Sequence, residues 1–146
     1  MKIAIDFDGT IVEHKYPKIG KELPFAIATL KKLQSENHKL ILWTVREGDL
    51  LNDAINFCRE RGIEFYAINN DHPEEYSADE PESFKSRKLK ADLFIDDRNI
   101  GGLPDWGVIY DMVHNGWDCR RYMDYVHGTS GREDKKGFWG KVFGGR

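Results

Sequence analysis

Short apolar runs rich in β-branched residues alternate along this chain with stretches whose apolar positions recur every three or four residues. That alternation restricts the fold more than any other feature. Ile3-Ala4-Ile5, Lys39–Thr44, Glu64–Ile68 and Ala91–Asp97 read as strands buried on both faces. Between the first two, Ile27, Leu30 and Leu33 with Ala26 predict a helix from Pro24 to Ser35, and Pro24 suits its first turn. Leu50, Leu51, Ala54, Ile55 and Cys58 predict a second helix that stops near Gly62. Strand, helix, strand, helix, strand implies parallel strands joined by right-handed crossovers. Trp106–Tyr110, after the Gly101-Gly102 turn, predicts a short further strand, and Asn115–Val126 a last helix. The expected class is α/β: a Rossmann-like three-layer α/β/α sandwich with a mostly parallel central sheet of about five strands.

The length of 146 residues and net charge of −3 fit one domain with a proper core. The expected division is a domain over 1–127 and a flexible, basic, Gly-rich tail over 128–146. The tail carries five Lys/Arg against two acids, a net of +3, which leaves −6 on the body. An acidic body argues against nucleic-acid binding by electrostatics, so nucleic acid is expected only as a substrate, if at all. No apolar run approaches the roughly 18 residues of a membrane span, and Asp6 comes too soon for a secretory signal, so a cytoplasmic protein without a membrane partner is expected. Phe138-Trp139 and Val142-Phe143 among the tail lysines read as a flexible end rather than a membrane anchor. Cys58 and Cys119 have no paired spacing, as for inert thiols in a reducing compartment. From Asn69 to Phe84 the periodicity disappears. The segment carries six acids and no Lys or Arg, which reads first as a solvated loop and second as a cover for a site.

In an open α/β sheet, ligands bind beyond the carboxyl ends of the strands. Asp6 and Asp8 close the first strand, Thr44 the second, and Asp96-Asp97 the fourth, with Lys88 shortly before it. Two carboxylates a few ångströms apart repel, so the Asp6/Asp8 pair implies a shared proton or a bound cation. Gly9 lets the backbone turn sharply, and Thr10 offers a hydroxyl and an N–H to an anion. Each has a plainer reading: an Asp-Gly turn, a helix cap for Thr44, a surface position for Lys88 or its alternatives Lys85 and Lys90. Arg46 reads as a contact to a substrate phosphate or leaving group, or as a salt bridge with Glu47 or Asp49.

In chain order, Asp6-Phe7-Asp8-Gly9-Thr10, then Thr44, then Lys88, then Asp96-Asp97 resembles the four motifs of the haloacid dehalogenase-like superfamily of phosphohydrolases, over about the first 100 residues. The spacing from Lys88 to Asp92 is similar to the lead-in of small capless members, and neither inter-motif interval is long enough for a cap domain. The resemblance implies a Mg²⁺-dependent phosphatase acting on phosphomonoesters. It makes Asp6 the nucleophile that forms an aspartyl-phosphate and Asp8 the general acid and then base. Mg²⁺ would be held by Asp6, the backbone carbonyl of Asp8 and an acid of the fourth motif, with Asp97 the direct ligand and Asp96 its neighbour or water anchor. Thr44 and the N–H groups near Gly9 and Thr10 would grip the phosphoryl oxygens, and Lys88 would offset the charge. Without a cap, the open site implies a bulky phosphorylated substrate, a neighbouring subunit of a homo-oligomer acting as lid, or poor selectivity. Two other classes share the ingredients: a phospho-accepting signalling domain similar to response-regulator receivers, whose motif order disagrees, and a catalytically idle binding domain of the same fold.

Overall fold

The computed structural model describes residues 1–73 and 88–116. Their elements in chain order are β1 (Lys2–Ile5), α1 (Ala26–Ser35), β2 (Lys39–Leu42), α2 (Gly48–Arg59), β3 (Ala67–Ile68), β4 (Leu93–Ile95) and α3 (Trp106–His114). The strands form one parallel sheet in the order β3-β2-β1-β4, flanked by helices. The fold is thus α/β, as the alternation of apolar runs predicts. Ile3, Ile5, Ile41 and Leu42 are completely buried, which is why these strands read as unbroken apolar runs. On one face Ala4, Ile41 and Ala67 pack with Leu89, and Trp43, Tyr66 and Ala91 close over them.

The order places the centre of the topology at β1. The chain moves outward from β1 through β2 to β3, then returns to the other side of β1 as β4. Neighbouring strands whose connections leave in opposite directions open a crevice at their carboxyl ends. Parallel register aligns Ile5 with Leu42 on one side and with Ile95 on the other. The residues that follow these three positions are therefore held side by side.

The predicted strand at Trp106–Tyr110 is instead the start of α3, so four strands are found among the described residues. Burial follows Trp106, Ile109 and Val113, a spacing of three and four, rather than the alternation a strand requires. Asp105 caps the helix: its carboxylate accepts from the Gly107 N–H at 2.8 Å and its carbonyl from the Ile109 N–H at 2.9 Å. The short apolar run fitted both periods, and the Pro104-Asp105 start signal decides between them. Asn115 and Gly116 form a turn after α3, and the rest of the helix expected over 115–126 lies outside the described residues, as do 74–84 of the acidic loop, Lys85, Cys119 and the tail. The chain divides into two compact units, Met1–Tyr110 and Asp111–Arg146, and all that follows concerns the first. α1 begins two residues later than expected, after Phe25 in a left-handed conformation (φ 64°). No described helix is long and apolar enough to cross a membrane.

Trp106 ties α3 to the loop after β1. Its indole N–H donates to the Thr10 carbonyl at 3.0 Å, and its own carbonyl accepts from the Thr29 hydroxyl of α1 at 3.4 Å. Trp106 is 2% exposed, so no water replaces a lost bond. Trp106→Phe is expected to cost about 1–3 kcal/mol through the stranded carbonyl, read as a lower urea midpoint at unchanged slope. An unshifted midpoint would show that the bond contributes nothing.

Candidate functional site: an acidic centre at the ends of β1 and β4

The Asp6 N–H donates to the Ile95 carbonyl at 3.0 Å, which carries the β1–β4 pairing one residue past both strands. Asp6 therefore lies beside Asp96 and Asp97. One carboxylate oxygen from each of Asp6, Asp96 and Asp97 lies within 4.8 Å of the other two. Thr10 braces this group: its hydroxyl donates to Asp6 Oδ2 at 3.1 Å and accepts from the Asp97 N–H at 3.0 Å. Gly9 turns with φ +92°, and a Cβ on it would overlap Asp97 Oδ2, so glycine is needed both for the turn and for the close approach. Asp97 Oδ1 is buried without a hydrogen-bond partner. Asp96 Oδ1 accepts from the Arg98 N–H at 2.8 Å, which orients that carboxylate.

Burial raises the pKa of Asp6 from 3.8 to about 6; the Asp96 and Asp97 charges add to the rise, while the Phe7 N–H and the Thr10 hydroxyl oppose it. Three crowded carboxylates, one with an orphaned oxygen, suit a hard divalent cation that prefers oxygen ligands, as Mg²⁺ does.

Asp8 has a different neighbourhood. Its two oxygens accept from Arg46 Nε and Nη2, both at 2.7 Å, in a forked pair. Arg46 is completely buried and also donates to the carbonyls of Pro17 and Lys18, at 3.0 Å each. Its guanidinium carbon lies 5.1 Å from the Phe7 ring centre and 5.3 Å from that of Tyr16. The bond to Asp8 raises the pKa of Arg46 above its ordinary value. The expected pairing of Arg46 with Glu47 or Asp49 is thus replaced by one 38 residues distant in sequence. With every side-chain donor group turned to Asp8 or to the loop, Arg46 does not serve as the substrate contact that the sequence offered. Asp8 likewise gives its carboxylate to Arg46 rather than to the cluster of Asp6, Asp96 and Asp97.

Arg46 organises the loop between β1 and α1. Residues 12–22 fold back on themselves as a short ribbon: Val12 bridges Glu22, the Glu13 N–H donates to the Lys21 carbonyl at 2.7 Å, and Gly20 packs against the Glu13 carbonyl. The tip, with a cis Tyr16–Pro17 bond, is the part that Arg46 holds. This ribbon bounds a cleft of about 550 Å³ lined by Asp6, Asp8, His14, Tyr16, Trp43, Thr44, Asn69, Asp96 and Arg98, among others.

Thr44 lies in this cleft without capping α2, whose cap position is Glu47. Its hydroxyl oxygen accepts from the Arg46 N–H at 3.2 Å, which leaves the hydroxyl proton free to donate, and its N–H is fixed by Asn69 Oδ1 at 2.8 Å. Gly9 and Thr10 are not phosphate donors. The Gly9 N–H is bonded to the Val12 carbonyl at 2.7 Å, the Thr10 N–H points to the Phe7 carbonyl at 3.4 Å, and the Thr10 hydroxyl is fully used between Asp6 and Asp97.

Lys88 is not brought to the cleft. It lines a separate hollow of about 590 Å³ with Lys2, Lys90 and Asp92. The Asp92 N–H bonds to the Lys2 carbonyl at the opening of β1. A motif spacing cannot report which end of a strand a preceding loop approaches. The residues that sequence reasoning missed are His14, Tyr16, Trp43, Asn69 and Arg98. Two had a signal: Asn69 directly follows the third strand, and Arg98 directly follows Asp96-Asp97. Cys58 is buried, with its thiol pushed up to about 12 by desolvation, as expected of an inert cysteine.

A parallel α/β sheet with a cluster of carboxylates at the exit of its central strand defines the class of protein. A solved structure from Bacteroides thetaiotaomicron, described as that of a conserved protein coded by locus, is 63% identical to this chain, with a TM-score of 0.74 over 82% of this chain and 94% of the other. At that identity and coverage the chain belongs to the family of that protein. Neither the known protein families nor the curated proteins searched gave a match.

Two outcomes test the site. Unfolded Asp6 ionises near pH 4, whereas the folded residue keeps its proton to about 6. Between those limits the folded state binds more protons, so this group favours folding at low pH and that contribution is lost as pH rises through 6. Without metal, Asp6→Asn is expected to melt above the wild type at pH 7.5, with the gap closing towards pH 4.5. Equal melting temperatures at both pH values would show that Asp6 is not strained. Arg46→Ala leaves Asp8 buried and unpaired and unpins the ribbon, for an expected loss of about 3–5 kcal/mol in urea unfolding. A change within about 1 kcal/mol, as for exposed pairs, would contradict the burial of this pair.

Proposed function

We propose that this protein is a Mg²⁺-dependent phosphohydrolase that cleaves phosphomonoesters through an aspartyl-phosphate on Asp6, on a Rossmann-like sandwich resembling the capless haloacid dehalogenase-like phosphatases. The observation that carries the reading is the convergence of Asp6 with Asp96 and Asp97 within 4.8 Å at the end of the central strand. Asp6, Asp96 and Asp97 would hold Mg²⁺, which would cancel the repulsion between carboxylate and phosphate dianion.

A carboxylate oxygen of Asp6 attacks phosphorus, the bond to the leaving oxygen breaks, and that oxygen takes a proton. Water then attacks phosphorus, releasing phosphate and regenerating the carboxylate. The Thr44 hydroxyl, with its proton unclaimed, donates to a phosphoryl oxygen. Arg98 replaces Lys88 as the cation that offsets phosphate charge: it lines the cleft, and among the described residues its guanidinium has no ion-pair partner. Asp8, whose two oxygens accept from Arg46, supplies the proton of the leaving oxygen and then takes one from the attacking water, and each step requires one of its oxygens to come off the Arg46 fork.

Asp6→Asn is expected to lower Mg²⁺-dependent phosphate release from an aryl phosphate by at least about a thousandfold, since it removes the nucleophile. Mg²⁺ should also raise the melting temperature of the wild type at pH 7.5 and not that of Asp97→Asn. Turnover that survives in Asp6→Asn would overturn the mechanism, and a wild type indifferent to Mg²⁺ would overturn the metal site.

A further inference from the structure

We infer that the cleft selects small phosphomonoesters whose leaving group carries a planar aromatic ring, held between Tyr16 on the ribbon and Trp43 after β2. This inference rests on the hydrolase reading of the same cleft and adds what that reading leaves open, the chemistry of the group released. Both residues line the cleft that contains Asp6. The Trp43 N–H bonds to the Ile5 carbonyl at 2.9 Å, and its side chain packs partly on the Ala4, Ile41, Ala67 and Leu89 cluster. Tyr16 precedes the Pro17 and Lys18 carbonyls that Arg46 holds.

Tyr16 is nonetheless 50% exposed, and Val45 beside Trp43 is 77% exposed. A ribbon tip fixed by a completely buried arginine, yet carrying a half-exposed aromatic at the cleft, is preorganised to receive something flat. Rings fixed before binding lose little freedom when they stack. The same cleft is lined by Thr44, Arg98, Asp6 and Asp96, which would meet the phosphate. The volume of about 550 Å³ falls in the range of small-molecule sites rather than of a surface for a folded phosphoprotein. The ribbon thus takes the selective role that a cap domain would have, and the bulky substrate expected of an open site is not what this cleft fits.

Adenosine 5′-monophosphate and ribose 5-phosphate share the same ester and differ in the ring, so the ratio of their kcat/KM values with Mg²⁺ reports the slot alone. O-phosphotyrosine against O-phosphoserine, compared by KM, asks the same with the ring directly on the ester oxygen. A preference of about tenfold or more for the ring-bearing member of either pair is expected, from one or two stacking contacts. Tyr16→Ala and Trp43→Ala should each collapse that preference, mainly through KM, and Tyr16→Phe should retain it. Because the readout is a ratio, a general loss of activity in a variant does not mimic the result. Parity within both pairs in the wild type, or a preference that survives both alanine variants, overturns the slot while leaving the hydrolase standing. No phosphate release from any of the four compounds, with no tighter binding of the nucleotide than of ribose 5-phosphate to Asp6→Asn by calorimetry, overturns both. Selective nucleotide binding without release upholds the slot and removes the hydrolase.

Discussion

Parallel pairing of β1 with β4 is the constraint on which the rest of this structure depends. Ile5 opposite Ile95 leaves no choice about where the next residues go, and the Asp6 N–H bonded to the Ile95 carbonyl extends the alignment into the loops. Three carboxylates are thereby gathered at one point, and burial there, with the Asp96 and Asp97 charges adding to it, raises Asp6 above the usual carboxylate range. The unfavourable crowding is held by neighbours that have no alternative. Thr10 is buried and bonds both acidic segments, Gly9 admits Asp97, and Trp106 holds the Thr10 carbonyl from α3. Stability of the fold is spent on keeping like charges together, which is the usual physical mark of a site rather than of a core.

The second constraint is the pair of Asp8 and Arg46. A completely buried guanidinium is costly to desolvate, and a well-packed apolar side chain would serve stability as well. What the ion pair adds is geometry. One planar group addresses the strand-end carboxylate and two successive carbonyls of the ribbon, so the position of the ribbon tip is set by the same atom group that orders Asp8. The cleft wall and Asp8 are thus tied to one guanidinium.

The parts of the fold that were legible in the sequence are those in which burial on both faces leaves no polar residue to blur the pattern, as in Ile3–Ile5 and Leu40–Leu42. The acidic centre was legible for a related reason. Asp6 terminates such a run, Asp96-Asp97 follow an apolar run that proves buried on one face only, with Phe94 exposed, and the rule that sites form at strand exits needs no knowledge of tertiary contact. Trp106–Tyr110 was misread because five residues fit either period, and only the Asp105 cap separates them. Arg46 and Lys88 show the deeper limit. Arg46 has two acids within three residues and ignores both for one that reaches it through the sheet. Lys88 has motif-like spacing, yet it lines a hollow separate from the cleft. Spacing along the chain fixes which strand a residue accompanies, and not the end at which its side chain emerges.

The ribbon illustrates how a short segment can be ordered by the domain it lies on. Eleven residues from Val12 to Glu22 make too little apolar contact to fold alone, and one antiparallel bridge would not hold them. They are ordered because Arg46, after β2, bonds carbonyls that a free loop would give to water. An element held in this way takes its shape from the sheet beneath it, so an exposed residue such as Tyr16, whose side chain is open and whose backbone is not, can vary without loss of fold.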